Sequence, residues 1–335
     1  MDLQRWVLAA ERAWDSRRGE HTPEHFRIEP YLGHGGPAGT VVRGRVLDNP
    51  LGSEAMPDEG VRAATRRTLG DFVTDELPGV PLRVTVAGVS VDTESDAEGY
   101  FLVRVPTPAG SLTAPWTTGT VELRGDYRGV TDAEPALVEV RAPAAEARFG
   151  VLSDIDDTIL ETGVQRALRM VVQTLTGSAL TRTAFPGAPE LYRDLAAGVN
   201  PVFYVSSSPW NLHAFLLAFL RHRDFPLGPV LLRDLLGTRH GREQKHTRIR
   251  EVLDLHPDLS FVLLGDSGEH DPQIYADIVR EYPDRVLAVY IREVRLNPGD
   301  GRVETVSESW DSDVPFVLCA DSDAVRRHAE GLGLL

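Results

Sequence analysis

A short apolar run, Phe149 to Leu152, leads into Asp154, Asp156 and Asp157, and an apolar pair, Ile159 and Leu160, follows. Three carboxylates in four positions at a strand end repel one another and lose part of their hydration. Such a cluster persists where something positive sits on it, a metal ion above all. The apolar run before it argues for a buried strand, and no EF-hand spacing follows. The chain therefore has to adopt a fold that brings complementary polar groups to this one strand end.

The pattern after residue 148 supplies such a fold. Strand and helix signals alternate, with strands predicted at 148–152, 201–205, 229–232, 260–264, 286–291 and 314–318. Helices are predicted at 165–175, 189–197, 210–221, 245–255, 272–281 and 322–330. This alternation predicts an α/β, doubly wound, mostly parallel sheet, in which ligands bind beyond the C-terminal strand ends. The second strand ends in Ser206-Ser207-Ser208, and the fourth runs into Gly265-Asp266, with Asp271 five residues on. Lys245 is expected to open the helix before the fourth strand. Two acidic strand ends, one hydroxyl strand end and one lysine would share a crevice.

Ahead of residue 148 the apolar period is two. Strands are predicted at 27–31, 40–47, 82–86, 89–93, 99–105, 119–125 and 136–141, punctuated by Gly, Pro and Asp. They predict an all-β sandwich of immunoglobulin-like or transthyretin-like type, and 89–105 resembles the strand-turn-strand of transthyretin-like modules. Leu3, Trp6, Val7, Ala10 and Trp14 predict an N-terminal amphipathic helix over 3–18, and a polar insertion over 49–79 holds a helical stretch at 60–72. The expected division is 1–26 for the helix and linker, 27–147 for the sandwich and 148–335 for the α/β domain. His21, His25 and His34 lack accompanying cysteines or carboxylate spacing and read as exposed loop histidines. Positioning, or binding of a protein partner, is the expected role of the sandwich.

Charge narrows the function classes. The formal net charge is −15, with 16 basic and 23 acidic residues in 1–150 and 19 and 27 in the remainder. Acidity spread this evenly argues against a nucleic-acid partner and against permanent docking to an anionic membrane. The one cysteine, Cys319, excludes a disulfide framework and reads as a buried, inert thiol. No apolar run is long enough to cross a bilayer, and the first residues lack a signal-peptide pattern, so a cytoplasmic location is expected, at most peripheral at membranes. Of 35 basic residues only Lys245 is a lysine. A compact ammonium and a planar guanidinium are not interchangeable, which marks this position as one where Arg will not serve.

Read together, these residues resemble the haloacid dehalogenase superfamily of phosphohydrolases, over about 148–320. Asp154, Asp156 and Thr158 match its first motif, Ser206 its second, Lys245 its third, and Gly265, Asp266 and Asp271 its fourth. The resemblance implies a Rossmann-like domain, a Mg²⁺ cofactor and hydrolysis through an aspartyl-phosphate. Asp154 would be the nucleophile, which as a carboxylate attacks without first losing a proton. Asp156 would protonate the leaving alkoxide and then deprotonate water. Asp154, Asp266, Asp271 and Asp156, the last through its backbone carbonyl, would hold the metal. Ser206, with Ser207, would bind the phosphoryl group, and Lys245 would stabilise both phosphate and nucleophile.

Local wording extends the resemblance to the actin-patch-protein type of phosphatidate phosphatase. It is carried by Ser153–Ile159, Thr162-Gly163-Val164, Phe185-Pro186-Gly187, Tyr204–Asn211, Leu220–Pro226 and Gly265–Tyr275. Ser207 departs from the Asn found there in many relatives. Between Thr158 and Ser206 lie 47 residues, enough for a small helical insertion around 164–182 and no large lid. The implied substrate is phosphatidate or a related lipid phosphate, giving diacylglycerol. A soluble or protein-bound phosphate, and a partner-binding module with a vestigial phosphate site, stay open as alternatives.

Overall fold

The computed structural model describes residues 21–49, 76–156, 158–159, 184–233, 241–268, 270–293 and 310–335. The helices expected at 3–18, 60–72 and 165–175, the insertion around 164–182, Asp157 and Glu269 lie outside these residues.

Two sheets organise the described chain. The first has strands β1 (Phe26–Pro30), β2 (Gly33–Gly36), β3 (Gly39–Asp48), β4 (Pro81–Val86), β5 (Val89–Glu94), β6 (Tyr100–Val105), β7 (Trp116–Leu123) and β8 (Ala136–Arg141). Their order is β1-β3-β2-β8-β7-β4-β5, with β6 on β3. The pairs are antiparallel except β2 with β8. Period-two alternation on β4 and β6 turns Leu82, Val84, Val86, Phe101, Val103 and Val105 into one core with Val42, Val46, Val138 and Val140.

Seven of these strands overlap those that the period-two pattern predicts. The eighth, β2, is Gly-His-Gly-Gly and has no alternation to read. Its glycines serve close approach. A Cβ at Gly33 would come within 2.8 Å of the Val41 carbonyl oxygen, and one at Gly36 would overlap the Leu255 carbonyl oxygen. His34 therefore departs from the expectation: it is buried, whereas His21 and His25 are exposed. Its ring meets Phe203 edge-on at 5.8 Å. The face that sequence reads as solvated is covered by the second sheet's helices. For the same reason β3 is buried on both faces, Arg43 and Arg45 included.

The second sheet is parallel, in the order β11-β10-β9-β12-β13-β14. Its strands are β9 (Gly150–Ser153), β10 (Val202–Pro209), β11 (Val230–Arg233), β12 (Phe261–Asp266), β13 (Val286–Arg292) and β14 (Phe316–Cys319). The helices are α1 (Ala188–Ala196), α2 (His213–His222), α3 (Gly241–Leu255), α4 (Asp271–Glu281) and α5 (Ser322–Gly331). Alternate strand residues face opposite ways: Val151 and Tyr204 pack with α1, α2 and α5, while Leu152, Phe203 and Val205 pack with α3 and α4. This is the predicted doubly wound layering. The first strand, β9, lies between β10 and β12, so the chain reverses its winding beside β9 and opens a crevice at the ends of these three strands.

The two sheets meet through buried aromatic and imidazole rings. Tyr31 stacks on Trp210 at 5.3 Å and on His213 at 4.0 Å. Burial pushes His213 down to about 3, and His256, which approaches the Gly35 carbonyl oxygen at 3.2 Å, down to about 4. Both rings are neutral in the folded protein at neutral pH.

Two outcomes follow from this packing. Gly36→Ala is expected to cost about 1–3 kcal/mol of stability by forcing β2 off α3, read from urea unfolding; unchanged stability would remove the close-approach account. The unfolded chain protonates His213 near the ordinary imidazole value of 6.5 and the folded chain only near 3, so stability falls as pH drops through that window. His213→Phe, which keeps the stack on Tyr31, is expected to reduce that slope by about 1.4 kcal/mol per pH unit between pH 6 and 4. An unaltered slope would contradict it.

Candidate active site

β9 enters the crevice at its C-terminal end and delivers Asp154, whose backbone N–H donates to the Leu264 carbonyl at 2.9 Å. That carbonyl also accepts from the Tyr275 hydroxyl at 2.8 Å. Burial holds the Tyr275 phenol well above its ordinary value, so it remains a donor. Asp154 is thus set by β12 and by a side chain of α4 at once. Ser153, just before it, shares a 2.5 Å hydrogen bond with the Tyr192 hydroxyl of α1 and donates to the Asp154 carbonyl at 2.6 Å.

Lys245 is the centre of charge. Its Nζ donates to Asp154 Oδ1 at 2.6 Å and to Asp271 Oδ1, with all three side chains buried. Charge-assisted bonds of this kind are strong, and removing one partner would leave a buried charge uncompensated. The lysine does not open its helix as expected. α3 begins at Gly241, which puts Lys245 in the second turn. The preceding Arg242-Glu243-Gln244 are good helix formers that extend the helix backward.

Oxygen atoms of Asp154, Asp266 and Asp271 lie within 4.8 Å of one another. Asp266 ends β12 and is held by its own loop, accepting from the Gly268 N–H at 2.6 Å, and Asp271 Oδ2 accepts from the Asp266 N–H at 3.3 Å. Gly265 makes this approach sterically feasible: a Cβ there would overlap Asp271 Oδ2 and come within 2.7 Å of the Tyr275 ring. Among the described residues, three buried carboxylates face one ammonium, an excess of two negative charges. An all-oxygen, doubly negative set fits a hard divalent cation.

Asp156 has a different environment. Its Oδ2 accepts from Ser206 Oγ at 2.8 Å and Ser208 Oγ at 3.0 Å, and the Ser208 N–H donates to Ser206 Oγ at 2.9 Å. Its carboxylate stands outside the three-oxygen group, so the four acidic residues named from sequence divide into a set of three and a separate one. Thr158 Oγ1 lies 3.3 Å from Asp154 Oδ2. Ser207 is partly buried and His270 exposed. Ser208, to which the sequence assigns no role, is the serine that joins Ser206 on Asp156. Tyr275 closes one of the segments that carry the family resemblance, but that resemblance gives neither it nor Tyr192 a role; contact reveals the roles. Cys319 is buried and its thiol is pushed up to about 11 by burial, as an inert thiol should be.

Residues 149–293 match the family model described as the catalytic domain of phosphatidate phosphatase APP1. Phosphatidate phosphatase APP1 of Saccharomyces cerevisiae is 34% identical over 152 residues, 43% of this chain and 26% of that protein. An uncharacterized protein of Schizosaccharomyces pombe is 31% identical over 152 residues, 44% of this chain and 25% of that one. The chain thus spans about a quarter of the length of the curated relatives it matches. A crystal structure of a HAD family hydrolase from Deinococcus radiodurans R1, with bound phosphate and sodium, is 18% identical and covers 57% of this chain and 99% of that chain. Its TM-score is 0.36, too low to carry weight. The matched stretch takes in β9 through β13 with every strand-end residue described above, and over that stretch the chain is similar to the catalytic domain of phosphatidate phosphatase APP1.

Proposed function

We propose that this chain is a Mg²⁺-dependent phosphomonoesterase that removes phosphate from phosphatidate, or a related lipid phosphate, to give diacylglycerol. One observation carries the reading: the buried acids at the strand ends occupy two environments. Asp154 is tied to an ammonium within an oxygen cluster fit for a divalent cation, and Asp156 is held apart by two hydroxyls. Nucleophile and proton carrier need such different settings.

In this reading an Asp154 carboxylate oxygen attacks phosphorus as the bond to the leaving alkoxide breaks. The alkoxide takes its proton from Asp156. Water then attacks the aspartyl-phosphate, gives a proton back to Asp156 and releases inorganic phosphate and free Asp154. Lys245 holds Asp154 in line and offsets charge on the phosphoryl oxygens. Ser206 donates to a phosphoryl oxygen in place of Asp156, with Ser207 beside it. Asp154, Asp266 and Asp271, with the Asp156 backbone carbonyl, would hold Mg²⁺, which when bound neutralises the repulsion between attacking carboxylate and phosphate.

The reading treats 27–147 and 148–335 as two working parts, with a cytoplasmic location and transient contact with a membrane surface during turnover. No helix among the described residues is long and apolar enough to cross a membrane.

Asp154→Asn and Asp156→Asn are each expected to lose nearly all phosphate release from a generic phosphomonoester with Mg²⁺, and full activity in Asp154→Asn would sink the mechanism. Phosphatidate in detergent micelles is expected to outcompete a panel of soluble phosphates; preference for the panel would overturn the lipid assignment alone. Mg²⁺ at a hundredfold excess over its Kd should stabilise the protein by about 2.7 kcal/mol in thermal unfolding. Asp266→Asn should abolish that shift, and an equal shift in the variant would place the ion elsewhere.

A further inference from the structure

Arg43 lies on β3 of the first sheet, far in sequence from any strand-end motif. Its Nη2 donates to both carboxylate oxygens of Glu251 on α3, at 2.8 and 2.9 Å. The two side chains are 9% and 5% exposed. Its guanidinium carbon also lies 5.6 Å from the centre of the Trp210 ring, which stacks on Tyr31 of the same sheet. These two contacts reach the two active-site segments of the second sheet that have to be set against each other. α3 carries Lys245, roughly 9 Å along the helix axis from Glu251. Trp210 directly follows the Ser206–Pro209 strand end whose hydroxyls hold Asp156.

The surroundings reinforce the pair. Arg104 of β6 adds a third bond to Glu251 at 3.2 Å from the rim, where its side chain is 62% exposed. His34 Nε2 lies 3.7 Å from Glu251, beyond hydrogen-bond length. Burial would push the Glu251 carboxyl up, but His34 and Arg43 together outweigh it and hold the group well below the carboxylate range. The Arg43 contact is the short one, and the ion pair persists throughout the neutral range. A buried guanidinium with one carboxylate and one aromatic face has little freedom to shift, and it is a planar group matched to both.

We infer that Arg43 is a positioning residue for the phosphatase site: it ties α3 to the turn after β10 and so fixes Lys245 relative to the serines on Asp156. The inference rests on the phosphatase reading for its kinetic consequence and stands without it for its geometric one. The chain's single lysine makes the geometry measurable, because protein labelled with [ε-¹⁵N]lysine gives one Nζ resonance, that of Lys245.

The test is the full chain with Arg43→Met and Glu251→Met together, which replaces a buried pair by apolar groups of similar volume and leaves no orphaned charge. A folded double variant is expected to show one displaced Nζ resonance, kcat on p-nitrophenyl phosphate lowered tenfold or more, and KM within threefold of the parent. A mere loss of folded fraction would instead give the native resonance at reduced intensity beside an unfolded one. An Nζ resonance at the parent position, or a parent kcat in folded protein, overturns the inference. Should the double variant not fold, Arg43→Gln, which keeps a planar hydrogen-bonding group without the charge and adds no second lysine, is read by the same two criteria. A parent protein inactive on every phosphomonoester would defeat the phosphatase reading, while the Nζ resonance would still decide the positioning.

Discussion

The ammonium of Lys245 between Asp154 and Asp271 is the contact on which the rest of the site depends. Buried carboxylates crowded within a few ångströms repel one another strongly in a medium of low dielectric. Among the described residues, the buried ammonium at their centre makes the cluster tolerable and leaves a negative excess. The parallel sheet brings β9 and β12 side by side, so that two acidic strand ends meet. α3 crosses the same sheet face at the height that delivers the lysine. Glycine at 265 then lets the acid at the start of α4 close in. Strand order, helix packing and a missing side chain all serve one electrostatic arrangement.

Much of that arrangement was legible in the chain itself. Apolar runs ending in Asp154, Ser206 and Asp266 are strong signals, since a buried strand that stops on a polar residue has few other uses. The lone lysine stood out against a background of arginine. Helix starts were less legible: Arg242-Glu243-Gln244 could be loop or helix, and only packing on β10 decides. The division of labour among the acids was legible only through the family resemblance. Nothing in Asp-x-Asp says that one carboxylate will face a cation and the other two serines.

The first sheet shows a different limit. Its alternation located seven strands and its core face, but alternation cannot say what covers the other face. Arg43 and Arg45 at alternate positions have the pattern of a solvated strand and are buried. Gly-His-Gly-Gly has the pattern of a loop and is a strand. For Arg43 and for the glycine strand the deciding partner, α3, lies some two hundred residues away, and no local pattern carries that information.

The glycine strand has a mechanical meaning as well. Where β2 meets the end of α3, main chain lies against main chain: the Ala38 N–H donates to the Leu255 carbonyl at 3.4 Å, and no side chain at Gly36 intervenes. Side chains can change rotamer and absorb small displacements; peptide planes cannot. A joint of this kind acts as a stiff coupling. Force applied to the outer sheet, by whatever it touches, passes into the lysine helix without slack.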